Sequence, residues 1–124
     1  MNYFPQKYFK TEKDGVIKVN TALETSGTVG NKTLATAVAG KKHRVIGWIA
    51  QTANAAIGSY SFTDGSGGAN ITAPMTAPVN TNGVKDIIEI KPEGCCETSV
   101  NIALAVTTVT QPVNLTVFYI TYTP

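Results

Sequence analysis

Histidine occurs once in this chain, at His43, and cysteine twice, as the adjacent pair Cys95 and Cys96. Charged residues are 15% of the sequence and the net charge is +2, against a usual charged share of about 25%. These shortages exclude several classes of function. A zinc site built from Cys95, Cys96 and His43 lacks both the ligand count and the CxxC spacing such sites use. Nucleic-acid binding needs Lys and Arg gathered on one face; here only Lys41, Lys42, His43 and Arg44 cluster, at the entrance of a strong strand pattern. No run of residues reaches the length of a signal peptide's apolar core or a membrane helix, so neither nucleic acid nor membrane is an expected partner. Adjacent cysteines cannot form the separated pairs of a disulfide framework. Side chains of neighbouring strand residues point to opposite faces, so a bridge between them would be strained. Two reduced thiols in a reducing compartment are expected, with a vicinal redox pair or an intermolecular link as the alternatives. Three sequons, at Asn31, Asn70 and Asn114, read as accidents of a Thr-rich chain with no secretion signal.

Catalytic groupings are missing as well. His43 sits among positive neighbours, which disfavours a base or metal role. The carboxylates Glu12, Asp14, Glu24, Asp64, Asp86, Glu89, Glu93 and Glu97 are dispersed. Glu93 and Glu97 would make a glycosidase pair only by coincidence. The run Asp64-Gly65-Ser66-Gly67-Gly68 lacks the Lys and Ser/Thr of a phosphate loop and has one carboxylate, too few for calcium. It is expected to be a hairpin tip. No enzyme activity, cofactor or metal is expected.

Turn formers and branched residues are plentiful. Eleven glycines and six prolines divide the chain into short runs rich in Thr, Val and Ile, residues that suit a pleated surface. Turn signals about every ten residues predict an all-β sandwich or barrel. Strands are expected at 16–19, near 34–38, at 43–51, 58–63, 84–90, 99–106 and 113–123. Within 43–51, strict alternation puts Val45, Gly47 and Ile49 on one face and Arg44, Ile46, Trp48 and Ala50 on the other. Tyr60 and Phe62 share a face, as do Val100, Ile102, Leu104 and Val106. In the last strand Leu115, Val117 and Tyr119 oppose Phe118, Ile120 and Tyr122. Strands apolar on both faces need cover, by core on one side and a loop or partner on the other. Residues 1–14 carry Tyr3, Phe4, Tyr8 and Phe9 among Lys and Gln and are expected to form a docking arm; 15–124 form the sandwich domain.

The segments Ala39-Gly40-Lys41-Lys42-His43-Arg44-Val45-Ile46-Gly47-Trp48, Ser59-Tyr60-Ser61-Phe62, Cys96-Glu97-Thr98-Ser99-Val100-Asn101-Ile102-Ala103-Leu104 and Val117-Phe118-Tyr119-Ile120-Thr121-Tyr122 together resemble a pattern of small tailed-phage virion proteins. The likeness spans residues 15–124 and is one of turns and strands; the adjacent cysteines and the aromatic leader are not part of it. The resemblance implies a capsid decoration (cement) protein or related virion component: a single β-sandwich of jelly-roll type with about eight short antiparallel strands. It implies a homo-oligomer, a trimer in preference, bound to the major capsid protein on the virion surface after synthesis in the host cytoplasm. Interface anchors are then expected at Tyr3, Phe4, Tyr8, Phe9, Trp48, Phe118, Tyr119 and Tyr122. The competing reading is a carbohydrate- or receptor-binding β-sandwich of a fibre or tail, with Trp48 and Tyr60 as platforms beside Asn54 and Asp64.

Overall fold

Nine strands account for all regular structure among the described residues, which in this computed structural model are 18–79, 86–88 (backbone alone) and 94–124. They are β1 (Asn20–Glu24), β2 (Gly30–Ala35), β3 (Lys42–Thr52), β4 (Gly58–Asp64), β5 (Met75–Ala77), β6 (Asp86–Ile88), β7 (Cys96–Glu97), β8 (Leu104–Val109) and β9 (Val113–Tyr122). One sheet has the order β1-β9-β3-β6, with β7 also paired to β3; the other has the order β2-β8-β4-β5. Every pairing is antiparallel, and the chain is an all-β sandwich. The ladders β1 with β9, β2 with β8, β3 with β6 and β7, and β4 with β5 are nested in sequence, and within the sheets β9 also pairs with β3 and β8 with β4.

Alternating apolar side chains from both sheets fill the space between them. Val45, Trp48, Ala50, Val113, Leu115 and Val117 come from one sheet, and Ala35, Tyr60, Phe62, Ala77, Leu104 and Val106 from the other. At the centre Trp48 and Phe62 meet edge to face at 5.0 Å between ring centroids, and Tyr60 meets Phe62 at 6.3 Å. Trp48 Nε1 donates to the Tyr60 hydroxyl at 2.7 Å. That bond joins the two sheets and satisfies a buried donor whose isolation would cost about 1–3 kcal/mol.

The structure corrects four expectations. First, strict alternation fails in β3. The ladder to β9 pairs Val45 with Tyr119 and Gly47 with Phe118, leaving Ile46 as a bulge. One extra residue reverses the facing of everything beyond it. Val45 therefore shares the core face with Trp48 and Ala50, and Ile46 is buried outside the core cluster. Second, the first strand among the described residues is Asn20–Glu24; of the strand expected at 16–19, residues 18 and 19 precede it, with Val19 exposed, and 16–17 lie outside the described residues. Pairing with β9 from Tyr119 to Leu115 makes a strand of this polar segment. Third, β2 is Gly30–Ala35, set by its ladder with β8, whereas the segment near 34–38 mostly leads into the next turn.

Fourth, 99–103 turns before β8 begins at Leu104. Asn101 adopts φ 66, donates its backbone N–H to the Lys41 carbonyl at 3.0 Å and accepts from the Gly40 N–H. Asn tolerates this left-handed conformation better than most residues, so the turn is pinned against the β2–β3 connection. Leu104 and Val106 reach the core as expected, while Val100 is left exposed. The flanks of the strand expected at 84–90 and the arm expected at 1–14 lie outside the described residues.

Candidate interaction surface

The face of the β1–β9–β3 sheet turned away from the core carries the side chains best placed to meet another molecule. Its rows follow from the ladder register. Thr21, Phe118 and Gly47 lie in one row, and Leu23, Thr116 and Ile49 in the next. Leu23 is 66% exposed, and Phe118, Ile49 and Thr116 are half-buried. Gly47 opposite Phe118 contributes no side chain to that row. This neutral strip carries no charge at the positions named, which lowers the cost of covering it.

A polar clamp closes one end of the strip. Alternation sends Lys42, Arg44 and Glu97 outward beside Tyr122. Glu97 Oε2 accepts from the Tyr122 hydroxyl at 2.5 Å and lies 3.0 Å from Lys42 Nζ, and Oε1 accepts from Arg44 at 3.2 Å. Arg44 also donates to the Tyr122 hydroxyl at 2.9 Å, with its guanidinium 4.5 Å from the ring centroid. Four residues from three strands thus lock β7 across β3 to the end of β9. Burial works to raise Glu97, but hydrogen bonds from Tyr122, Lys42 and Arg44 outweigh it and hold the carboxyl below the usual range. Burial and the bond to Glu97 push the Tyr122 hydroxyl up.

A depressed carboxylate stabilises the fold above its ordinary value and loses that contribution as the pH falls through its folded pKa. Glu97→Gln should therefore flatten the acid limb of the melting curve below about pH 4.5 and lower Tm near neutrality by about 2 °C, the scale of a half-exposed ion pair. Thermal melts of both proteins from neutral to acid pH check this; parallel curves would show that the clamp contributes nothing.

The eight expected anchors divide. Phe118 and Tyr122 face outward on this surface. Trp48 is 4% exposed and belongs to the core, and Tyr119 packs against the core with its ring edge-on to His43 at 5.6 Å. Burial raises the Tyr119 hydroxyl. Tyr3, Phe4, Tyr8 and Phe9 lie outside the described residues. Leu23, Ile49, Arg44 and Glu97 were not anticipated as surface partners; the alternation of β9 already pointed to the face, but their convergence depends on pairings far apart in sequence.

The sugar platform expected from Trp48 and Tyr60 is not presented, because both rings are buried. Asp64 accepts from the Ser99 backbone N–H at 2.8 Å and its hydroxyl at 2.7 Å, and Asn54 donates to Gln111 at 2.8 Å. His43, read from the sequence as part of a solvated basic run, is buried: alternation turns it inward between Lys42 and Arg44. Its Nε2 donates to the Thr36 carbonyl at 2.8 Å, and Nδ1 lies 2.8 Å from the Thr121 hydroxyl. Comparison with family models, curated proteins and solved structures finds no match for this chain.

Proposed function

We propose that this chain is a structural virion component, a jelly-roll subunit that binds the assembled capsid surface and bridges neighbouring major capsid subunits, acting as a homotrimer. The observation that carries the reading is the outward strip of Leu23, Phe118 and Ile49 with the Arg44–Glu97–Tyr122 clamp at its end. Aromatic residues and Arg are enriched in protein interfaces, and neutral apolar centres ringed by polar groups are their usual anatomy. The nested strand pairing supports the jelly-roll reading, since the orders β1-β9-β3-β6 and β2-β8-β4-β5 are those of an eight-stranded ribbon rolled into two sheets. That architecture recurs in viral capsid and lectin domains; with Trp48 and Tyr60 buried, the capsid role is the better supported of the two. Many weak copies on a lattice gain by avidity what each lacks in affinity.

The test is co-sedimentation with capsids assembled without the protein, with light scattering of the free chain. The wild type should pellet with capsids and run as a trimer. Leu23→Lys combined with Phe118→Glu should keep the β circular-dichroism signal and weaken binding by about 100-fold or more, the loss of two interface anchors. Unchanged binding of the double variant rules out this face, and a monomer at micromolar concentration rules out the trimer.

A further inference from the structure

The adjacent cysteines do not diverge as consecutive residues of a regular strand would. Cys95 stands at a bend before β7, and the two Sγ atoms are 3.0 Å apart in a hydrogen-bonded contact. The backbone around them is fixed. The Cys95 N–H donates to the Val45 carbonyl at 2.9 Å and the Thr98 N–H to the His43 carbonyl at 2.9 Å, bracketing the pair on both sides. Gly94 turns the chain into the site with φ 75. A Cβ there would stand 2.6 Å from Arg44 Cγ and 2.8 Å from the Val45 carbonyl oxygen, so the chain passes β3 too closely for any other residue. Cys95 is exposed and Cys96 half-buried. The contact with Cys95 and burial both push the Cys96 thiol up. One sulfur is thus open to reagents in solution, and the other waits behind it within reach.

We propose that Cys95 and Cys96 are a redox-active vicinal dithiol, closed to an eight-membered Cys95–Cys96 disulfide ring by a small-molecule disulfide and reopened by thiol. The exposed Cys95 thiolate attacks one sulfur of the oxidant, breaks its S–S bond and releases one thiol. Cys96 then gives up its proton to the medium, attacks the Cys95 sulfur and displaces the second thiol. Two S–H bonds are lost and one S–S bond forms, and the oxidant is reduced to two thiols. The ring spans Cα atoms about 3.8 Å apart, whereas ordinary disulfides span roughly 4.4–6.8 Å. That strain makes the ring oxidising and easily reduced, the property of a labile disulfide and not of a structural staple.

Oxidised glutathione applied to the full chain, followed by acid quenching, alkylation and intact-mass measurement, tests this. The native protein should lose two hydrogens, resist alkylation, give a single peptide with Cys95 joined to Cys96, and return to the dithiol with dithiothreitol. Closure should be about tenfold faster in the folded chain than in urea, because the fold holds the sulfurs together. Cys96→Ser should stop at a stable glutathione adduct on Cys95, and Cys95→Ser, left with the half-buried thiol alone, should react far more slowly. Oxidation no faster than in urea, a wild type that stops at the mixed disulfide, or disulfide-linked dimers as the main product would each overturn the proposal.

Discussion

Phe62→Ala is expected to lower the free energy of unfolding by about 4 kcal/mol, within the range for truncating a buried aromatic ring. Phe62 is fully buried at the middle of β4, with Trp48 and Tyr60 meeting its ring edge to face. Its loss removes transfer free energy, opens a cavity between the sheets and ends both aromatic contacts. The neighbours cannot collapse into the space, because Trp48 and Tyr60 are tied by the 2.7 Å bond between the sheets. For a domain of this size total stability is of order 5–15 kcal/mol, so this variant approaches the folding threshold. Urea unfolding should show a lower midpoint with an unchanged slope. Phe62→Leu, which keeps most of the volume, should lose about 1.5 kcal/mol. A loss under about 1 kcal/mol for the alanine variant would mean that the rings do not form the centre of the core.

Gly68→Ala should cost about 3 kcal/mol, at the upper end for forced overpacking. A Cβ at Gly68 would lie 1.9 Å from the Asp64 carbonyl oxygen and 2.8 Å from its carbonyl carbon. Both are backbone atoms of the strand end, so the 65–68 turn must open to admit the methyl group. Opening breaks the Gly68 N–H bond to the Gly65 carbonyl and the Asp64 N–H bond to the Ala69 carbonyl. It also moves Asp64, whose carboxylate holds Ser99. Gly40→Ala is the converse case: φ is 74 there and nothing lies within 4 Å of the added carbon, whereas Gly68 lacks a positive φ and has no space. It should cost only about 1 kcal/mol, the conformational part alone. Thermal or urea unfolding of the two variants separates space from backbone preference; a loss at Gly68 no larger than that at Gly40 would show that the turn admits the methyl group without opening.

Much of the core was legible in the sequence. Tyr60 with Phe62, Leu104 with Val106, and Leu115 with Val117 were placed correctly, because period-two alternation in short strands is a local property. That Phe118 and Tyr122 share the face opposite Leu115 and Val117 followed from the same rule, but which face is outward did not. The rest depended on partners. Nothing within 43–51 marks Ile46 as an extra residue; only the count of β9 residues opposite it does. Asn20–Glu24 is a poor strand in isolation and becomes one because β9 offers it a ladder. Glu97 meets Arg44 and Tyr122 across separations of 53 and 25 residues, where no local pattern reaches. The cysteines show the same limit. Alternation predicts divergent thiols, and the bend after Gly94 brings them together.

The sequence by itself determined the class of the fold and which short runs would be buried. Both follow from the alternation of branched and aromatic residues between turn formers, and each run carries that information within itself. Which strand lies beside which, which face each residue past the bulge presents, and which polar groups meet at the end of the β9 strip were decided only in the tertiary structure. Those features are properties of pairs of segments far apart along the chain, and their free energy exists only once both members of a pair are in place.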